Sequence, residues 1–167
     1  IFLLANSEFY FGSNSGLKSV AITFKKLTYG INWTPWELFA DPGMSLNRDV
    51  NPSFSKLLIF KKIKNIKSKK FLSLKEILKF KTTIGENPFF LKKIDLVFID
   101  NTKTEILLLA EEIEKEINGK IIEDSNDKML QKKFWKIFLE YSNKKQFSFP
   151  LPKISPSFLR NNLDLLD

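Results

Sequence analysis

The chain has 167 residues, of which 43% are hydrophobic, and a formal net charge of +8. It contains no cysteine and no histidine, which excludes disulfides, Cys/His zinc sites and Ser-His-Asp triads within it. The length suits one ordinary domain. The opening residues 1–9 form too short an apolar run for a signal peptide or a membrane span. We therefore expect a cytoplasmic protein, consistent with the lack of cysteine, and the initial Ile1 leads us to expect a piece of a longer chain.

The N-terminal residues predict a strand, a turn of small residues, a helix and a second strand. Residues 1–6 have the pattern of a helix end, and residues 9–11 are a short apolar run that stops at Gly12. Ser15 is placed to cap the following helix, and residues 27–31 predict the second strand. The inward face of the helix is predicted from its helical spacing as Leu17, Val20, Ala21 and Phe24. This order is typical of a βαβ unit.

The middle of the chain combines an irregular region with a basic block. Residues 32–55 are rich in proline and predict a loop. Residues 56–93 contain twelve lysines against two glutamates, a balance of +10, so the whole positive excess lies there. Within the block, residues 58–60 predict a strand, and Ser73 to Glu76 has the spacing of a capping box that opens a short helix.

The C-terminal part predicts one strand and three helices. Residues 95–100 are the strand, and Thr102 with Glu105 forms the capping box of a helix that ends at residues 118–119. A long helix is predicted over about Asp127–Tyr141, and Ser155-Pro156 begins a terminal helix. The residues predicted to face inward in these last two helices are Leu130, Phe134, Ile137, Phe138 and Tyr141, and Phe158, Leu159 and Leu163.

The segment Gly12-Ser13-Asn14-Ser15-Gly16 has the chemistry of a phosphate site. The first N–H groups of a helix have no partner inside it, and the helix dipole adds positive potential there. Glycines let a ligand approach the backbone, and serine hydroxyls and the Asn14 amide can add hydrogen bonds. The alternative is that Ser15 simply caps the helix and Gly12 simply turns the chain, because the spacing is neither the Walker pattern nor GxGxxG.

The segment from Phe11 to Gly16, followed by Phe24 and Asn32, resembles the C-terminal half of a family of bacterial glycosyltransferases with GT-B architecture. Further similar runs follow in the family's order at residues 70–78, 100–106, 131–135 and 157–162, whereas Leu27 stands where the family usually has proline. The resemblance implies an α/β fold: a Rossmann-like, three-layer donor-binding domain over residues 1–122. A helical C-terminal extension over residues 123–167 is expected to pack on it, and the N-terminal half of the enzyme is expected to be missing.

The resemblance also implies a function: transfer of a sugar from a nucleotide-diphosphate sugar to a glycan or lipid-linked acceptor. Residues 12–16 would hold the donor diphosphate, and Asn32, Trp33 and Thr34 would contact the nucleotide, since open α/β sheets bind ligands beyond the carboxyl ends of their strands. The catalytic group is expected on the missing half, so Glu37, Asp41 and Asp49 are not nominated. Neither a metal nor a cofactor besides the nucleotide-sugar substrate is expected.

The basic block permits three interpretations. The first is a solvated, lysine-rich surface whose lysine content reflects the codon bias of an AT-rich genome. The second is a surface that makes peripheral contact with the inner face of an anionic membrane. The third is a nucleic-acid surface in which lysines are interleaved with Phe60, Phe71 and Phe80. Nucleic acid is disfavoured because arginine, which suits base edges, is nearly absent. The alternatives to a glycosyltransferase are a GT-B-like sugar-nucleotide epimerase and a non-catalytic module that binds RNA or membrane.

Overall fold

A computed structural model describes residues 1–34, 55–79, 88–120, 124–142 and 152–167, and the statements below concern these residues. They form a mixed α/β structure, as the sequence predicts. In chain order the elements are α1 (Phe2–Asn6), β1 (Phe9–Gly12), α2 (Gly16–Thr23), β2 (Leu27–Trp33), β3 (Ser55–Phe60), β4 (Lys62–Asn65), α3 (Leu74–Lys79), α4 (Pro88–Lys93), β5 (Leu96–Ile99), α5 (Lys103–Ile117), α6 (Ser125–Ser142), β6 (Lys153–Ile154), α7 (Pro156–Asn161) and a 3-10 turn (Leu163–Leu166).

The main sheet has four parallel strands in the order β1-β2-β3-β6. Gly12 of β1 lies opposite Gly30 of β2, and Leu58 of β3 lies opposite Ile154 of β6. Residues 57–60 of β3 are all buried, which is typical of a parallel strand covered on both faces. The prediction of an α/β fold is therefore confirmed, while its GT-B details stay a prediction.

A second, smaller sheet pairs β4 with β5 in antiparallel orientation. The chain passes from β3 into β4 at Lys61, whose N–H donates to the Trp33 carbonyl at the end of β2. The predicted strand at residues 95–100 is thus present as β5, but it joins β4 instead of extending the parallel sheet. The smaller sheet has a hydrophobic core of its own, which is formed by Ile63, Leu72, Ile77, Leu91 and Leu96.

The main hydrophobic core lies between β2, β3 and the helices α3, α5, α6 and α7. Its centre is aromatic: Phe60 packs against Phe134 and, edge to face, against Phe158 at 5.0 Å between ring centroids. Leu130, Ile137, Phe138 and Leu159 are buried as predicted. The side chain of Tyr141 lies outside the part of the chain that can be described.

Two of the predicted inward faces are wrong in part. In α2, Leu17 is 60% exposed and Phe24 is 40% exposed, while Ala21 and the stem of Lys18 face the sheet. Because β1 is the outermost of the described strands, α2 has only a narrow surface to cover, and its flanks remain in water. Leu163 is also 53% exposed, and the core positions of the 3-10 turn are Leu165 and Leu166.

The predicted division at residues 122/123 stays a prediction. Residues after it supply β6 to the parallel sheet as well as the helices α6 and α7. The side chain of Gln131 in α6 binds the backbone of Ile154 from both sides, donating to its carbonyl and accepting from its N–H. In the described ranges, no helix combines the length and the apolar character that crossing a bilayer requires.

Candidate functional site

The β1–α2 loop, residues 12–16, stands at the carboxyl end of β1. Ser13, Asn14, Ser15 and Gly16 are exposed. The Tyr10 hydroxyl folds over the loop and donates to the Ser13 carbonyl at 2.8 Å. A Cβ at Gly12 would stand 2.6 Å from that hydroxyl, so glycine at this position makes room for Tyr10. A Cβ at Gly16 would meet nothing within 4 Å, so Gly16 faces open space.

The first turn of α2 has no side-chain cap. Ser15 occupies the N-cap position, as predicted, but its side chain makes no capping hydrogen bond. Its hydroxyl lies 3.3 Å from the Tyr10 hydroxyl instead. A helix start without a side-chain cap leaves N–H groups that an anion can satisfy. The interpretation of Ser15 as an ordinary capping residue therefore does not describe this loop.

The end of β2 is tied to the start of α5 by a reciprocal pair of asparagines. Asn32 N–H donates to Asn101 Oδ1, and Asn101 N–H donates to Asn32 Oδ1, both at 2.7 Å. Asn101 Nδ2 also donates to the Phe60 carbonyl at the end of β3. Asn32 has a φ of 54°, a left-handed conformation that asparagine tolerates well. The side-chain oxygen of Asn32, a residue predicted to contact a nucleotide, thus accepts a hydrogen bond that joins two strand ends.

Trp33 lies beneath α2 and is only 4% exposed. The ammonium group of Lys18 stands 4.0 Å from the centroid of its ring, a cation–π contact. One face of the indole of Trp33, a predicted nucleotide contact, is therefore covered by Lys18. Thr34, the third predicted nucleotide contact, follows β2 and is half-buried.

The loop and the end of β2 share one edge of the sheet. Gly12 lies opposite Gly30, and β2 continues only three residues beyond that register. The predicted diphosphate residues and the predicted nucleotide residues are therefore at neighbouring strand ends, as their assignment requires. Their ligand contacts stay predictions.

A second polar cluster lies where β4 begins. Lys62 Nζ donates to Glu105 Oε1 at 2.8 Å and to Asn162 Oδ1 at 3.0 Å, and Asn162 Nδ2 donates to Glu105 Oε1 at 3.1 Å. The side chains of Lys62 and Glu105 are 12% and 8% exposed. Burial acts to raise the pKa of Glu105, but hydrogen bonds from Lys62, Thr102 and Asn162 outweigh it, so the pKa lies below its ordinary value.

The sequence analysis did not assign this cluster, and only part of it could have been found. The capping box of Thr102 and Glu105 is visible from spacing and is present as predicted. Lys62 and Asn162 lie 43 and 57 residues from Glu105, so no local pattern links the three. The contact of Lys18 with Trp33 could not be predicted from the sequence either, because a lysine on a helix is ordinarily exposed to solvent.

The basic block is partly neutralised by acidic partners. Lys61, Lys62 and Lys67 pair with Asp100, Glu105 and Asp95. Phe60, named above as a residue that could stack on a base, is fully buried and cannot do so. Phe71 is 47% exposed, while Phe80 and the acidic residues Glu37, Asp41 and Asp49 lie outside the described residues.

The described residues contain no group of three or more acidic side chains arranged to hold a metal ion. Comparison of the chain with known protein families, with curated proteins and with solved structures finds no match. The resemblance to glycosyltransferases therefore stays a prediction from the sequence, and the case for a function depends on the geometry of the sheet edge.

Proposed function

We propose that this chain is the donor-binding part of a glycosyltransferase with a Rossmann-like, GT-B-type domain. It would bind a nucleotide-diphosphate sugar and take part in transferring the sugar to a glycan or lipid-linked acceptor. The observation that carries the proposal is the start of α2. An exposed serine-glycine loop lies there at the carboxyl end of a parallel strand, and the side chain of the N-cap residue Ser15 makes no capping bond.

The loop chemistry suits a diphosphate leaving group. Negative charge grows on the diphosphate as the glycosidic bond breaks, so N–H groups and serine hydroxyls at the start of α2 would stabilise the transition state more than the ground state. Lys18, whose ammonium is held over Trp33 within the first turn of α2, adds positive potential near the same place. The nucleoside would extend toward Thr34, which follows the end of β2.

The direct test is a thermal-shift panel of nucleoside diphosphates on the protein and its variants. We expect one nucleotide to raise the melting temperature, and Ser13→Ala with Ser15→Ala to remove that shift. A ligand at 100 times its dissociation constant stabilises the folded state by about 2.7 kcal/mol, which is readily measured. Ser19→Ala, on the exposed surface of α2 outside the loop, is the matched control and should keep the full shift.

Two outcomes would contradict the proposal. If no nucleotide shifts the melting temperature, the assignment of a diphosphate site is wrong. A shift that survives the double serine variant would move the nucleotide away from the β1–α2 loop. Incubation of the complete enzyme with donor alone distinguishes an epimerase from a glycosyltransferase, because an epimerase would convert the donor sugar without any acceptor.

A further inference from the structure

We infer that the cavity between the start of β4 and the C-terminal turn is a binding site for an uncharged sugar ring. The cavity has a volume of about 440 Å³. One wall consists of Lys62, Phe71 and Leu72, and the other of residues 160–165. Pockets for small ligands typically measure about 300–1,000 Å³, so a mono- or disaccharide fits. The inference goes beyond the proposed function and does not need the β1–α2 loop to bind a diphosphate.

The charges of the lining favour a neutral ligand over an anion. Both cations on the walls already have a buried carboxylate partner: Lys62 pairs with Glu105, and Arg160 pairs with Asp127. Asp164 adds a carboxylate to the lining itself. A phosphate entering the cavity would meet neutralised cations and an unfavourable negative charge. A neutral ligand meets no such penalty.

The polar groups of the lining match hydroxyl groups, which both donate and accept. The Asp164 carboxylate accepts, the Lys62 ammonium donates, and the amide of Asn162 can do both. Among the described residues, Lys62 uses two of its three N–H groups on Glu105 and Asn162. Those two partners also fix the direction of the Lys62 ammonium, so its position is set before a ligand arrives.

The apolar part of the lining suits the C–H face of a sugar ring. Phe71 is 47% exposed and Leu163 is 53% exposed, and both line the cavity. The ammonium of Lys62 stands 5.3 Å from the centroid of the Phe71 ring, so the aromatic wall and the polar cluster adjoin each other. A ligand with one apolar face and a rim of hydroxyls would contact both.

The test is saturation-transfer NMR of the protein with free hexoses and N-acetylhexosamines, with affinities obtained by titration. We expect at least one sugar to bind, and Phe71→Ala to weaken that binding at least about tenfold, which corresponds to ~1.4 kcal/mol. Phe24→Ala is the matched control, because Phe24 is 40% exposed and is not among the residues lining the cavity. Asp164→Ala should also weaken binding, whereas Asp167→Ala, on the neighbouring exposed carboxylate, should not.

Three results would overturn the inference. They are failure of every sugar to bind, sugar binding that Phe71→Ala and Asp164→Ala leave unchanged, and competition of inorganic phosphate for the bound sugar. The double variant Ser13→Ala with Ser15→Ala should bind the sugar as the unmodified protein does. Sugar binding by the unmodified protein, together with failure of every nucleotide to bind it, would therefore reject the proposed function alone.

Discussion

Asn101 is the residue through which three strand ends are held together. Its side chain accepts from Asn32 N–H at the end of β2 and donates to the Phe60 carbonyl at the end of β3, while its own position follows β5. It is 7% exposed, so loss of these bonds would leave buried polar groups without partners. The geometry of the sheet edge therefore depends on one amide.

We predict that Asn101→Ala lowers the free energy of unfolding by about 2–3 kcal/mol, since two buried side-chain hydrogen bonds are lost. Urea unfolding followed by circular dichroism would measure it. Asn6→Ala is the control, because the Asn6 amide makes one exposed bond to the Phe2 carbonyl of its own helix and should cost less than about 0.5 kcal/mol. Equal losses in the two variants would show that Asn101 does not hold the edge.

Glu105 should make stability depend on pH. Its pKa is lower in the folded protein than its ordinary value, so the stabilisation it provides is present above the unfolded pKa and is lost as pH falls through the folded pKa. We predict that Glu105→Gln destabilises the protein by about 1.5–3 kcal/mol at neutral pH, because the buried Lys62 loses its charged partner.

The difference between the unmodified protein and Glu105→Gln should begin to shrink as pH falls below the ordinary glutamate pKa of about 4.3, where the unfolded chain takes up a proton. It should disappear as pH falls through the lowered pKa of the folded protein. Urea unfolding at a series of pH values measures both proteins. A difference in stability that stays constant from neutral to acidic pH would mean that the charge of Glu105 contributes nothing.

At the scale of the elements, two of the helices that follow strand ends, α2 and α5, start in different ways. Thr102 accepts from Glu105 N–H, and the Glu105 side chain accepts from Thr102 N–H, so α5 has a complete capping box. α2 starts at Ser15 without such a bond. One helix start is thus closed by a capping box, and the other lacks a capping bond from its N-cap side chain.

We predict that Thr102→Ala costs about 1 kcal/mol of stability, whereas Ser15→Ala costs less than about 0.3 kcal/mol. Both substitutions remove a hydroxyl from an N-cap position, so each is the other's control. Denaturant midpoints measured in one buffer without nucleotide would compare them. A loss at Ser15 as large as that at Thr102 would mean that Ser15 caps α2 in solution.

Local chemistry explains which elements the sequence predicts correctly. Capping boxes at Ser73 and Thr102, and the Ser155-Pro156 helix start, depend on residues within one turn and are all present. The inward face of α2 depends on how many strands lie beneath it, which spacing does not reveal. The cluster of Lys62, Glu105 and Asn162 depends on distant segments meeting, and so does the pairing of β5 with β4.

At the scale of the whole molecule, the described part of the basic block has a cluster of exposed lysines in a basic turn, residues 66–70, where Lys67 pairs with Asp95. Ile66 is 49% exposed there, next to exposed lysines at 67, 69 and 70, and Phe71 follows at 47%. Lysines flanked by exposed apolar residues suit an anionic bilayer surface. Of the described basic block, this turn is where the predicted membrane contact would occur.

We predict that the protein co-sediments with anionic vesicles at low salt, and that replacing Lys67, Lys69 and Lys70 with glutamine weakens this binding about 100-fold, since each lysine contributes about 1 kcal/mol. The control replaces Lys128, Lys132 and Lys136, an exposed row on α6 with the same charge. Equal weakening in both variants would indicate an effect of net charge alone.

The central place of β3 has a consequence for how the protein opens. β3 is paired on both sides and buried on both faces, whereas β1 is paired only with β2 among the described strands. We expect amide hydrogens of β3 to exchange with solvent only when the whole fold unfolds, and those of β1 and α2 to exchange through local opening at the margin. Exchange rates in β3 therefore measure global stability, and those in β1 measure the mobility of the edge that carries the loop.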